Sequence, residues 1–453
     1  MTQNAADPFA TLRQRLAGIR TAVPIGRINA LDAAGFEVGG LSRHARLGDD
    51  LVYEDESGGR HHAEIVRIDP AGLRATPFGQ ATGLRVGQAA WPGGAPQIAP
   101  GDDWIGRVLD PFGRPLDDGP VPDGVPRPLH ARPQAATRRR GMGPRLHTGH
   151  AVIDTVLPLA AGQRIGLFAG SGIGKSTLLA AMARQIEADI CVLALVGERG
   201  REVAEFTSRA LGPEGMARSV VIAATADQPA SLRRRCAITA MAAAEHFRDR
   251  GRRVLFLCDS VTRLAEAHRE VAAAAGEPCD LRGHPASLTP LLAGLTERAG
   301  PGGDGQGDIT AIFSVLVAGS DMEEPVADIL RGQLDGHVVL SRDIAEAGRF
   351  PAVDVLRSVS RCLPGVASAE ENAIIGEVRR LLSIHDRNAL MVRSGLYERG
   401  SSAEIDRTLA IVPRLEAVFA QTDLPTVEEA FRQLAGPLGL PYRAPDREGH
   451  PPG

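Results

Sequence analysis

The chain has 453 residues, and because single hydrophobic cores stop growing near ~250–300 residues, its length predicts more than one domain. A hydrophobic content of 43% is typical of a globular protein, and a formal net charge of -4 does not favour nucleic acid as a partner. The five cysteines show no CxxC spacing, and no apolar run approaches the ~18 residues of a membrane span. The N-terminus has no apolar signal sequence, so the composition predicts a cytoplasmic protein with reduced thiols.

The first predicted element is an amphipathic helix within residues 1–22. Residues 8–20 place four apolar side chains on one helical face, with Asp7 as the N-cap and Pro8 at the first helical position. Three arginines lie in the same segment. Two interpretations fit this pattern equally well. The helix could pack on the chain's own barrel, or it could dock onto a partner protein or an anionic membrane surface.

Residues 23–95 consist of short strand-like runs separated by the glycine-rich turns DAAG, ESGG and DPAG. This pattern predicts a small β-barrel domain. Its basic and aromatic residues are not clustered as in an RNA-binding barrel. Residues 117–147 are rich in proline and arginine and are interpreted as a connector, whose arginine triplet at 138–140 is expected to face solvent.

A glycine-rich loop follows the short apolar strand at 165–168. Residues 169–176, AGSGIGKS, match the phosphate-binding P-loop pattern except that alanine replaces the first glycine. Lys175 is the single lysine among 51 basic residues, as expected where a compact ammonium must fit between phosphate oxygens. It would contact the β- and γ-phosphates of ATP, and Ser176 would ligate Mg²⁺. The residues predicted to bind the nucleotide are Gly170, Ser171, Gly172, Ile173, Gly174, Lys175, Ser176 and Thr177.

A second motif supplies the carboxylate that such a site needs. Residues 253–260, RVLFLCDS, form a buried-strand pattern that ends in Asp259. This is the Walker B arrangement, in which the aspartate holds Mg²⁺ directly or through water. The sequence therefore predicts that Ser176 and Asp259 bind the magnesium ion that accompanies ATP.

Apolar strands alternate with amphipathic helices across residues 96–375. This alternation indicates an α/β domain with a mostly parallel sheet, covered on both faces, that binds ligands at the carboxyl ends of its strands. Glu198 stands at one such end, in the stretch CVLALVGERGREV. The other predicted elements are strands 189–197, 219–225, 308–318 and 337–341 and helices 229–249 and 261–275.

The C-terminal part of the chain has helical periodicity. Residues 376–436 are predicted to form a small helical domain. Residues 437–453, rich in proline and glycine, are predicted to form a flexible tail.

Several motifs together carry a family resemblance. GRVLDPFGRPLD, AGSGIGKST, VGERGREV, DSVTRLAEAHRE and FPAVDVLRSVSR occur in the order found in the catalytic head of rotary ATP synthases, which the chain resembles over roughly residues 25–415. Within that family it is most similar to the type III protein-export ATPases, and among these to the flagellar version. Two stretches, TGHAVIDTVLP at 148–158 and GHPAS at 283–287, depart from the family pattern. The resemblance implies a RecA-like ATPase core between a β-barrel and a helical bundle.

The resemblance also implies roles for individual residues. Glu198 of the G-E-R motif would polarise the attacking water, with Arg199 beside it in the catalytic set. Phe350 would stack on adenine. Arg361 would be the arginine finger that reaches into the neighbouring subunit's site. Judged without the family, Glu198 fits a charged strand end equally well, Phe350 is more typical of a core, and Arg361 of a surface.

The function implied is that of an ATP-hydrolysing motor subunit that energises the export of unfolded flagellar proteins, releasing or unfolding cargo at the export gate. Its expected partners are identical subunits in a hexameric ring, export regulator and stalk proteins, cargo and chaperones, and the inner membrane at its cytoplasmic face. Nucleic acid is not expected among them. Mg²⁺ is the expected cofactor, with ATP as substrate.

Four alternatives compete with flagellar export. An injectisome secretion ATPase would share every motif above. A non-catalytic nucleotide-binding subunit would carry a neutral residue in place of Glu198, and a rotary synthase catalytic subunit would carry an acidic helical motif that residues 380–420 lack. A Rho-like RNA translocase would need a basic and aromatic RNA platform, which the barrel does not show.

Overall fold

A computed structural model describes residues 22–55, 58–80, 83–280, 282–317 and 322–444. The helix predicted at 8–20 and the tail residues 445–453 lie outside the described residues. The strands are β1 (Gly26–Asp32), β2 (Gly35–Gly39), β3 (Asp50–Glu54), β4 (Arg60–Asp69), β5 (Gly72–Pro77), β6 (Ala89–Gly94), β7 (Gln97–Ile98), β8 (Val108–Leu109), β9 (Arg127–Pro128), β10 (Arg145–Leu146), β11 (Leu159–Ala160), β12 (Arg164–Ala169), β13 (Ile190–Glu198), β14 (Ser219–Thr225), β15 (Val254–Asp259), β16 (Ile309–Leu316), β17 (Gly336–Leu340) and β18 (Val353–Ser360). The α-helices are α1 (Ala151–Asp154), α2 (Lys175–Gln185), α3 (Gly200–Glu205), α4 (Gly212–Met216), α5 (Ala230–Asp249), α6 (Val261–Ala275), α7 (Leu288–Thr296), α8 (Pro325–Gln333), α9 (Arg342–Glu346), α10 (Ala369–Arg393), α11 (Ala403–Phe419) and α12 (Val427–Leu438).

The first six strands close into an antiparallel barrel in the order β1-β2-β5-β4-β3-β6. The predicted turns form because an aspartate side chain accepts backbone N–H groups just after each strand. Asp32 accepts from Ala34 at 2.8 Å, and Asp69 accepts from Ala71 at 2.9 Å. Alternate side chains of the strands fill a small core that includes Ile28 and Phe36. The predicted β-barrel is confirmed.

The region predicted as an α/β domain is built on an eight-stranded sheet in the order β18-β17-β12-β16-β15-β13-β14-β8. Its strands run parallel except for β18, which pairs antiparallel with β17 and is absent from the predicted strands. Two large apolar cores, one on each face of the sheet, cover the strands with helices. Such strands are apolar along their whole length because neither face meets water, which is why they are recognisable in the sequence.

The chain divides into two compact units. One contains the barrel through Pro96, together with Val271–Glu277 at the end of α6. The other contains the sheet and the C-terminal helices. No helix in the described ranges is both long and apolar enough to cross a membrane.

The predicted boundary of the helical domain, between 375 and 376, falls inside α10, which runs without a break across that point. Ser368 caps this helix. Its side chain accepts the Glu371 N–H at 3.1 Å, and the Glu371 carboxylate accepts the Ser368 N–H at 2.8 Å. Residue 437, the predicted start of the tail, falls within α12, and beyond that helix Tyr442 stacks on Phe431 with ring centroids 5.5 Å apart.

The arginine triplet at 138–140 does not simply face solvent. Arg139 is half-buried and donates to the carbonyl oxygens of Glu297 and of Ala299. Arg140 donates to the Gly302 carbonyl at 3.3 Å and pairs with Asp308 at 2.6 Å. The connector is therefore tied to the loop before β16 by charge-assisted hydrogen bonds, which sequence periodicity cannot reveal.

Candidate active site

The P-loop joins the end of β12 to the start of α2 at Lys175. Gly172 and Gly174 have φ values of 78° and 90°, in the left-handed region that glycine adopts without steric cost. These conformations turn successive backbone N–H groups inward, at the N-terminus of an 11-residue helix. The loop has the chemistry of a phosphate cradle.

Lys175 and Asp259 meet at the carboxyl edge of the sheet. Both are buried, with Lys175 only 9% exposed, and the ammonium contacts Asp259 Oδ1. Ser314 Oγ donates to the same oxygen at 2.7 Å. Because β12 and β15 both flank β16 in parallel, their carboxyl ends necessarily lie together.

Glu198 lies at the end of β13, next to β15, where Leu195 is in register with Asp259. Burial, reinforced by the nearby Asp259 carboxylate and opposed by Lys175, raises the pKa of Glu198 to about 7. A hydrogen bond with Glu202 raises it further. A carboxylate whose pKa lies near neutral pH is suited to exchange a proton with water during catalysis.

Arg263 faces the same carboxylates, although it was not among the predicted site residues. It lies in the first turn of α6, and a Cβ placed on Gly197 would lie 3.3 Å from Arg263 Cβ. Its guanidinium donates to Glu266 at 2.9 Å. The carboxylates of Glu266, and then of Glu198 and Glu202, hold the pKa of Arg263 above its ordinary value. The available signal was an arginine one helical turn after the aspartate that ends β15.

Arg199, in contrast, lies mostly in solvent within the protomer. Its side chain is 82% exposed, and its Nη1 lies 3.9 Å from Glu202 Oε1. An ion pair this exposed contributes little to stability. The arginine that accompanies Glu198 inside one chain is therefore Arg263.

Phe350 and Arg342 lie over the P-loop. A Cβ on Gly174 would lie 3.6 Å from Phe350 Cδ1, and the phenylalanine is 51% exposed. Arg342 Nη2 donates to the Ser171 carbonyl oxygen at 3.3 Å. An apolar ring left half in solvent beside a phosphate-binding loop is available to stack on a base.

Arg361 is placed at the opposite edge of the sheet. Strand β18 begins near the P-loop, with Val353 in register with Leu340, and ends with Ser360 opposite Gly336. The Arg361 N–H donates to the Asp335 carbonyl, and the Asp335 N–H donates to the Arg164 carbonyl at the start of β12. Because strands advance about 3.3 Å per residue, the six residues of β12 place this end of β18 about 20 Å from the P-loop. Arg361 is exposed there, and its Nη2 donates to the Arg331 carbonyl at 3.4 Å. Its side chain cannot reach the P-loop of its own chain.

The predicted magnesium ligands have suitable chemistry. Ser176 is the second residue of α2 and is exposed, so its hydroxyl is open to a ligand in the P-loop. Asp259 presents a carboxylate beside the P-loop lysine. A hydroxyl and a carboxylate are hard oxygen donors, the type that Mg²⁺ prefers when nucleotide phosphates supply the remaining ligands.

Comparison with known proteins identifies the relatives of this chain. Residues 149–360 match the ATP synthase alpha/beta family nucleotide-binding domain, and residues 367–436 match the T3SS EscN ATPase C-terminal domain. The flagellum-specific ATP synthase of Bacillus subtilis is 42% identical over 86% of this chain and 90% of its own length. The SPI-2 type 3 secretion system ATPase of Salmonella typhimurium is 42% identical over 80% of this chain and 84% of its own length.

Solved structures show the same fold. The assembled type III secretion ATPase EscN from enteropathogenic E. coli superposes with a TM-score of 0.84 at 36% identity, over 91% of this chain and all of that one. EscN in complex with its central stalk EscO superposes with a TM-score of 0.81. The agreement covers the barrel, the sheet and the C-terminal helices alike.

Proposed function

The chain belongs to the flagellum-specific and type III secretion ATPases of the ATP synthase alpha/beta family, and from this membership we propose that it hydrolyses ATP to energise the export of unfolded flagellar proteins. The observation that carries the catalytic part is Glu198, a carboxylate with a pKa raised to about 7 beside Lys175 and Asp259. A non-catalytic nucleotide-binding subunit has no use for such a group at this point. The match of residues 367–436 to the T3SS EscN ATPase C-terminal domain favours a secretion ATPase over a rotary-synthase catalytic subunit or a Rho-like translocase.

In the proposed mechanism the P-loop binds the phosphates and Lys175 holds the β- and γ-phosphate oxygens. Phe350 stacks on adenine. Ser176 and Asp259 would hold Mg²⁺, which neutralises charge on the phosphate oxygens when it is bound with ATP. Glu198 orients the attacking water and accepts its proton, and Arg263 balances the charge of the carboxylates around it.

The arginine finger is supplied by a second copy of the chain. Arg361 lies at the far edge of the sheet from its own P-loop, so it can stabilise transition-state charge only in a neighbour. A chain that carries Glu198 and Arg361 at opposite edges can form a closed ring in which every interface is a complete site. We propose a homohexamer, supported by similarity to the assembled EscN. Arg199, exposed in the protomer, is proposed to act at the same interface.

Mixing two inactive variants tests this assignment. Glu198→Gln chains keep the finger, and Arg361→Ala chains keep the water-orienting carboxylate. Neither should hydrolyse ATP alone, whereas rings assembled from a 1:1 mixture should have about a quarter of their interfaces complete. The ATPase activity of the mixture should be well above the sum of the activities of the two variants measured separately. No rescue in rings shown to be mixed would mean that Arg361 does not act between subunits.

The remaining partners are proposed for the two ends of the chain. The C-terminal helices are proposed to contact the stalk, cargo and chaperones. A stalk partner is supported by similarity to EscN in complex with its central stalk EscO. The amphipathic pattern at 8–20 is proposed to dock onto an export regulator or the inner membrane. Co-purification from the cells of origin tests the assignment to flagellar export. Hook and filament proteins are expected with the chain, and needle proteins would indicate an injectisome instead.

A further inference from the structure

The strand end that carries Arg361 is held by an unusual polar cluster. Ser360 Oγ donates to the Pro158 carbonyl at 2.6 Å, and Cys362 Sγ donates to the same carbonyl at 3.1 Å. The Arg361 N–H donates to the Asp335 carbonyl at 3.0 Å. The two neighbours of Arg361 are buried while its own guanidinium is exposed. The chain around the finger is thus held by three hydrogen bonds to two separate segments.

Gln163 joins this cluster to the strand of the P-loop. Its side chain is fully buried, and its amide makes three hydrogen bonds with separate segments. Oε1 accepts the Ala160 N–H at 2.9 Å. Nε2 donates to the Asp335 carbonyl at 3.0 Å and to Ser360 Oγ at 3.2 Å. A buried amide that satisfies both its donors and its acceptor orients all the groups it touches, since losing one partner would leave a buried polar atom unpaired.

We propose that Gln163 is a positioning residue for the arginine finger of the neighbouring subunit's site. It holds the end of β18 against Asp335 and Pro158, so that the Arg361 guanidinium leaves the sheet edge in one direction. The inference rests on the proposed action of Arg361 between subunits. Gln163 precedes β12 and the P-loop follows that strand, so the amide lies about 20 Å from the P-loop of its own chain.

A Gln163 variant should therefore behave as a finger defect, although the residue immediately precedes the strand that leads into the P-loop. Gln163→Met keeps the length of the side chain and removes its hydrogen bonds. We expect kcat to fall about ten- to a hundredfold, since a misplaced catalytic group costs rate, while the KM for ATP stays within about twofold. The Arg361→Ala variant should show the same pattern more strongly.

Complementation in mixed rings separates the two ways in which Gln163 could act. If it positions the finger, Gln163→Met chains mixed with Glu198→Gln chains should regain activity several-fold above the average of the two preparations. Mixed with Arg361→Ala chains they should show no gain. If Gln163 instead supports its own P-loop, the gain should appear with Arg361→Ala and not with Glu198→Gln, and the proposal is overturned. No gain in either mixture also overturns it.

Three controls make each outcome decisive. The mixture of Glu198→Gln with Arg361→Ala tests whether fingers act between subunits at all, so its failure removes the proposed ring mechanism and not the role of Gln163 alone. Thr239→Val removes another fully buried hydrogen bond, the 2.7 Å bond to the Pro111 carbonyl, and should leave kcat unchanged. If Gln163→Met does not fold, Ser360→Ala removes a hydrogen-bond partner of the Gln163 amide with a smaller change. It should regain activity with Glu198→Gln chains and not with Arg361→Ala chains.

Discussion

At the scale of single residues, the buried charges at the carboxyl edge of the sheet dominate the chemistry. Lys175 is packed against Asp259 and is the only lysine in a chain that otherwise uses arginine. An ammonium is compact and can turn its three donors between several oxygens, whereas a guanidinium is planar and larger. The site therefore depends on the shape of the cation as much as on its charge.

Lys175→Arg should abolish ATP turnover even though the charge is retained. The larger planar group cannot occupy the space between Asp259 and the phosphates, so kcat/KM should fall by about a thousandfold or more, an effect on the scale of losing a catalytic charge. Steady-state hydrolysis measures it. Arg387→Lys is the control, since it makes the reverse exchange on the exposed face of α10, and it should leave ATP turnover unchanged. Near-normal activity of Lys175→Arg would remove the P-loop assignment.

Glu198 should impose an acid limb on the pH profile. Its pKa is raised to about 7, and only the ionised carboxylate can accept a proton. As the pH falls below about 7 the group becomes protonated, so kcat/KM for ATP should decline about tenfold per pH unit, because kcat/KM reports the groups of the free enzyme. Glu198→Gln should still bind ATP, but its residual slow rate should lack this limb.

The neighbouring carboxylate provides a control for that profile. Glu202 raises the pKa of Glu198 through a hydrogen bond and like charge, so Glu202→Gln should move the acid limb to lower pH and keep its slope. A profile that is identical in the wild type and in Glu198→Gln would show that another group titrates.

At the scale of elements, the hairpin of α10 and α11 presents an apolar tip. Leu390 and Leu396, near the turn between the two helices, are 81% and 77% exposed. A shallow groove between the helices is lined by Ile384, Val392 and Ile405, among other residues. Exposed leucines beside an apolar groove are typical of a protein-binding surface, and this tip is where we place the stalk.

Changing both tip leucines to serine should weaken stalk binding about tenfold or more, because two apolar side chains no longer lose water on docking. The melting temperature should not change, since both side chains already face solvent in the free chain. Isothermal titration with the purified stalk protein measures the affinity. Leu47→Ser, the same exchange at a 68% exposed leucine of the barrel, should leave stalk binding intact. Unchanged affinity of the tip variant would place the stalk elsewhere.

At the scale of the whole molecule, the two edges of one sheet have different tasks. The carboxyl edge holds the P-loop, Asp259 and Glu198, and the opposite edge holds Arg361. Under the proposed ring mechanism, a single protomer contains every catalytic group and yet no complete site. Assembly and activity are coupled by geometry in such a chain.

Turnover per subunit should accordingly rise steeply with protein concentration until rings are complete. The hydrolysis rate per subunit and the fraction of chains in rings, measured by light scattering, should rise over the same concentration range. Arg361→Ala chains should assemble over the same concentration range without the rise in rate, which separates ring formation from finger action. Full turnover at concentrations where the chain is monomeric would contradict the proposed ring mechanism.

Much of the site was determined by the sequence itself. The P-loop, Asp259 and Glu198 each follow an apolar run, and in a parallel sheet every strand carries its next loop to the same edge. Because the loops after parallel strands lie at the same edge of a sheet, the proximity of these residues could be predicted from the strand pattern alone. The barrel strands and the aspartate-initiated turns between them could be predicted as well, because they depend on backbone sterics and short-range hydrogen bonds.

Only the tertiary structure decided which residues meet across long stretches of chain. The antiparallel pairing of β18 sends Arg361 to the edge away from the P-loop, although Phe350, a few residues earlier, stays beside it. Gln163 and Ser360 hydrogen-bond across 197 residues, and Arg263 rather than Arg199 turns toward Glu198. Strand direction and side-chain partners of this kind depend on packing between distant segments, for which a local sequence pattern carries no signal.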